Sequence, residues 1–195
     1  MAQPSIACIS FVAKNDHPLY VTIFPPFRES RLRFLILINS CLDIFDLRAR
    51  NTFIDQDLGL LQALDERLAV YGWLTNTGVK ILIIVDLAGR HADGAGQKQS
   101  ITPVTGIKHS DLKPVGAGEI HSLHSLLMRG RQQAFRALQT AYIGLLQNPF
   151  YNPDDQNGAS PVETTNDTLL GINDKKFITE VKRIGDMWSP NLTII

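Results

Sequence analysis

Apolar and polar positions divide the chain into short β-like runs and longer helical ones. Ile6 to Ala13 is almost wholly apolar, Asn15-Asp16 has turn chemistry, and Pro18 to Phe24 is rich in Tyr, Val, Thr and Ile. The pair predicts an opening β-hairpin, with Pro18 at a strand's first position, where no ladder donor is lost. Pro25-Pro26 ends it. Ser30 is a candidate N-cap for a helix reaching Arg50.

Within that helix Asn39, Asp43, Asp46 and Arg50 recur at +4, +3 and +4 and form one narrow polar stripe. Leu35, Ile38, Leu42 and Phe45 line one flank, while Leu37, Cys41 and Ile44 fall on the far side. A helix apolar over so much of its circumference needs more cover than one sheet provides. The expected second cover is a partner protein, contacting Leu37, Cys41, Asp43, Ile44 and Asp46.

Asp57 to Leu64 predicts a short edge strand. Leu68–Thr75, Asn76-Thr77-Gly78 and Val79–Asp86 make the strongest hairpin in the chain, with Asn76 and Gly78 supplying the turn. Ile81 to Val85 do not alternate with polar residues. A strand apolar on both sides belongs to a sheet covered on both faces, so helices must pack on each side. Glu119 to Gln147 reads as a helix stopped by Asn148-Pro149, because the residue before proline is pushed out of the α region. Phe177, Val181, Ile184 and Trp188 mark a final amphipathic helix starting at Asp174. The element order is ββα, βββ, αα: a mixed α/β (α+β) domain spanning residues 1–195. Two polar, glycine-bearing stretches, residues 87–118 and 154–173, are expected to be insertions without regular structure.

Charge narrows the function. Nineteen Lys and Arg balance nineteen Asp and Glu, which argues against a nucleic-acid partner. The longest apolar runs, Phe34–Ile38 and Ile81–Val85, are far short of a membrane span. With no secretory pattern at the start, the expectation is a cytoplasmic protein without direct membrane insertion. Cys8 and Cys41 lie in apolar runs and read as buried free thiols.

Chemistry is sparse. No nucleophile elbow, phosphate loop or H-E-x-x-H occurs. Gly94-Ala-Gly96 and Gly116-Ala-Gly118 are half-matches to a dinucleotide turn, each lacking its third glycine. His121 and His124 stand at i, i+3 without a third ligand nearby, and His91 and His109 could join only if the first insertion folded back. Asp43 and Asp46 could form an acid/base pair, but an interface stripe is the simpler reading. Asn148-Pro149-Phe150-Tyr151 matches a sorting peptide literally, yet between two helices it reads as a buried turn. No catalytic residue, cofactor or metal is expected.

Five segments in order then resemble the sedlin family: Ile6-Ala7-Cys8-Ile9 with Pro18-Leu19-Tyr20-Val21; Leu42-Asp43; Val70-Tyr71-Gly72-Trp73-Leu74; Val79 through Asp86; and Asn148-Pro149-Phe150-Tyr151-Asn152-Pro153. The resemblance implies a longin-like fold, a five-stranded antiparallel sheet with one helix on one face and two on the other. It implies a non-enzymatic subunit that supports assembly or stability of the TRAPP vesicle-tethering complex. That complex promotes nucleotide exchange on a Rab GTPase in ER–Golgi and Golgi traffic. Implied partners are the other subunits and, indirectly, the Rab, with peripheral association to Golgi and ER membranes. Family members often follow Leu-Asp with Val-Asp-Glu, a stretch associated with partner binding. Here Ile44-Phe45-Asp46-Leu47 follows, so the carry-over reaches Asp43 and ends at Asp46. The alternative readings are a small adaptor-type longin chain of another trafficking complex and, behind it, an enzyme with an unrecognised site built from His121, His124 and Asp43.

Overall fold

A computed structural model describes residues 3–51, 56–64, 67–90, 117–151, 168–170 and 172–190. The opening hairpin forms as expected from β1 (Gln3–Val12) and β2 (Pro18–Ile23). Asp16 closes its turn at φ 66°, in the left-handed region that aspartate tolerates. A 3-10 turn, Arg28–Ser30, runs into helix α1 (Arg31–Asn51). Strands β3 (Asp57–Ala63), β4 (Leu68–Leu74) and β5 (Lys80–Arg90) follow. Gly78 at φ 82° and the Thr75 amide on the Val79 carbonyl at 3.0 Å make the β4–β5 turn. Helix α2 (Ala117–Leu146) and, beyond β6 (Thr168–Leu170), helix α3 (Lys175–Met187) complete the described chain. Asp174 caps α3, its carboxylate accepting from the Phe177 amide at 2.9 Å.

Every neighbouring strand pair is antiparallel, in the order β3-β4-β5-β1-β2-β6. The unbroken apolar run of β5 splits between the two faces. Ile81, Ile83 and Val85 join a core with α2 and α3, built around Phe11, Tyr20, Phe135 and Phe177. Leu82 and Ile84 join a second core beneath α1, with Phe34, Leu37 and Phe45. The doubly covered sheet, one helix against two, is therefore present as expected.

Two boundaries differ from expectation. Leu87 to Arg90 continue β5 instead of opening an insertion. Gly89 permits this: its φ is +72°, and a Cβ there would stand 1.8 Å from the Gln3 carbonyl oxygen, so only glycine lets β1 approach. The second presumed insertion ends in a strand, because Thr168–Leu170 pair with Tyr20–Thr22 and add a sixth strand. Three residues are too few to leave a β pattern in the sequence. Residues 91–116, 154–167 and 171 of these stretches lie outside the described residues.

Candidate partner surface on the first helix

Phe34, Leu37, Ile38, Cys41, Leu42 and Phe45 recur at +3, +1, +3, +1 and +3 along α1 and are all buried. That spacing makes one broad apolar stripe, and it lies against the sheet. Polar bonds tie the helix to β3 as well. The Cys41 thiol donates to Gln62 Oε1 at 3.3 Å, and Arg48 Nη1 donates to the Leu58 carbonyl at 2.9 Å.

Near the end of α1, Asp46 meets Lys80 at 2.7 Å. Lys80 also holds Asp16 at 2.6 Å and lies 5.7 Å from the centroid of the Phe45 ring. Its side chain is only 6% exposed, whereas both carboxylates are about half exposed. Burial disfavours the charged ammonium, but hydrogen bonds to Asp16 and Asp46 outweigh it and raise the lysine pKa. One cation thus joins α1, the β1–β2 turn and the first residue of β5.

These contacts place part of the expected partner face in the core. Leu37 (4% exposed) and Cys41 (0%) belong to the core and contact the sheet, not an outside protein. Ile44 is half-buried and packs at the edge of the same core. Asp43 is exposed, and Asp46 is held by Lys80. On α1 the large apolar residues that are exposed are Leu32 (71%), Ile36 (62%) and Leu47 (61%). The spacing contained the signal: Leu32 precedes Asn39 by seven, Ile36 precedes Asp43 by seven, and Leu47 follows Asp43 by four. Each lies on the polar stripe itself. The outer face therefore mixes three large aliphatic side chains with exposed Asn39, Asp43 and Arg50.

Among the described residues, the other candidates do not converge on chemistry. The half-matching glycine turns fall mostly outside the described residues, as do His91 and His109 and the side chains of His121 and His124. Among the described residues no group of three or more His, Cys, Asp and Glu could hold a metal, and no helix is long and apolar enough to cross a membrane. Burial pushes both thiols up in pKa, with Ser40 partly opposing this at Cys41, so neither is an activated nucleophile. The Asn148–Tyr151 segment does form a turn, but Phe150 stands out from it and is not buried.

The sedlin family profile matches residues 11–166. The chain is 27% identical over 155 residues to the trafficking protein particle complex subunit 2-like protein of Mus musculus, covering 76% of this chain and 85% of the relative. The proteins of that name from Taeniopygia guttata and Dictyostelium discoideum are 25% and 27% identical, over 169 and 184 residues. These alignments cover 84% and 92% of this chain, and 95% of each relative. With its matched segments, its three layers and a profile spanning most of its length, the chain belongs to the sedlin family.

Proposed function

We propose that this chain is a non-catalytic subunit of a trafficking protein particle complex, supporting its assembly or stability in ER–Golgi and Golgi vesicle traffic. Its direct partners are other subunits. A Rab GTPase is engaged through the complex, and Golgi and ER membranes are met peripherally in the same way. The observation carrying this reading is the outer face of α1, where Leu32, Ile36 and Leu47 are exposed beside Asp43. A face on which three large aliphatic side chains are interleaved with polar ones suits a protein interface better than water. The names of the relatives support the kind of assembly.

Affinity purification of the tagged full chain from its own cells, with mass spectrometry of what accompanies it, tests the reading. Other complex subunits should appear in near-stoichiometric amounts. Recovery of the chain alone, or with an unrelated assembly, would contradict it.

A further inference from the structure

Phe150 is 95% exposed, the highest value among the large apolar side chains described. The backbone that carries it is hydrogen-bonded in place. The Tyr151 amide donates to the Asn148 carbonyl at 3.0 Å and closes a turn. The Phe150 amide donates to Asn148 Oδ1 at 3.1 Å, and Asn148 Nδ2 donates to Asp174 Oδ2 at 3.2 Å. Tyr151 packs against the core behind the turn. The phenyl ring therefore projects from a preorganised mount, which lowers the entropy lost on binding.

Beside this turn, the end of α2 and the start of α3 flank an open hollow of about 690 Å³. Asn148 belongs to both the turn and the wall of the hollow. Ala141, Gly144, Leu145 and Phe177 supply its apolar lining, and Asp174, Lys175, Lys176 and Glu180 its charged rim. At Gly144 an added Cβ would meet nothing within 4 Å, so the hollow is open there.

An apolar knob next to an apolar hollow is self-complementary under a twofold rotation, as an isologous contact requires. We propose that this surface joins two copies of the chain, with Phe150 of each inserted into the α2–α3 hollow of the other. The rim carries both signs, Lys175 and Lys176 beside Asp174 and Glu180, so two copies can meet there without net repulsion, Glu180 being already paired with Arg183 of its own helix at 2.7 Å. The patch is small, so the dimer is weak and reversible. It lies across the sheet from α1 and leaves that helix free for a different protein.

Sedimentation of the full chain across a concentration series, from low micromolar to near millimolar, tests this. The wild type should pass reversibly from monomer to dimer. Phe150→Ala removes the knob and Gly144→Leu fills the hollow, and each should weaken association by more than about tenfold. The thermal midpoint should be unchanged for the first variant. For the second it should be unchanged or raised, since leucine is the better helix former. Mixed in equal amounts, the two variants should form a heterodimer, because one retains the knob and the other the hollow. A wild type that is monomeric throughout would overturn the proposal. So would a dimer that neither variant weakens, a mixture without hetero-association, or a Phe150 needed only for binding another protein.

Discussion

Lys80 carries a cation where the sheet and α1 nearly exclude water, and it is tolerable there because two carboxylates, one from the β1–β2 turn and one from α1, reach it. The three groups are not equivalent. Removing Asp46 leaves a buried ammonium with one partner, so Asp46→Ala should lower stability by about 1 kcal/mol in denaturant titration. The figure is held low because Asp46 is half exposed. Asp43 is exposed and points into no such network. Asp43→Ala should therefore change stability by less than about 0.5 kcal/mol while weakening partner binding. The two aspartates looked alike in the sequence, three residues apart on one stripe. Only the long-range position of Lys80, 34 residues away by number, separates their roles.

At the scale of elements, α1 divides sharply between its two sides. Leu37→Asp would place a charge in the core and should cost more than about 4 kcal/mol. Ile36→Asp, one residue earlier, should leave the thermal midpoint within about 2 °C of wild type. Circular dichroism melts of the two variants separate these outcomes. Helix α3 has an equally exacting contact. A Cβ at Gly185 would meet the buried Phe24 ring at 2.1 Å, so Gly185→Ala should cost about 1–3 kcal/mol, read in the same melts. The strands and helices themselves were legible because periodicity reports them directly: the unbroken apolar run of Ile81–Val85 implied two covered faces, and both cores exist. The rotational setting of α1 was less legible. Cysteine and leucine on one flank resemble isoleucine on another, and only packing against the sheet shows that Phe34, Leu37, Ile38, Cys41, Leu42 and Phe45 face inward. The β5 extension escaped notice because Gly89 imitates a loop residue until its contact with Gln3 is known.

Across the whole molecule, the fold holds protons that the unfolded chain would release. Burial pushes the hydroxyls of Tyr20 and Tyr151 up to about 12, with Thr22 partly opposing this for Tyr20 and Tyr142 adding to it for Tyr151. At Lys80 the carboxylates raise the pKa against the effect of burial. The ordinary values are about 10 for tyrosine and about 10.4 for lysine. In each case the unfolded chain binds fewer protons once the pH passes its ordinary value. Stability should therefore be fully present below about pH 9 and fall progressively as the pH rises from 10 toward 12. Lys80→Met should remove part of that decline in alkaline titrations followed by near-ultraviolet absorbance and circular dichroism.

The two faces of the sheet also divide the labour proposed here, with α1 for assembly and α2–α3 for pairing of copies. The assembly role is the central claim, and co-purification of tagged Ile36→Asp beside tagged wild type tests it most directly. The variant should melt like wild type yet recover less than about a tenth of the complex subunits. Full recovery of those subunits by a folded Ile36→Asp chain would contradict the claim that the outer face of α1 joins this protein to its complex.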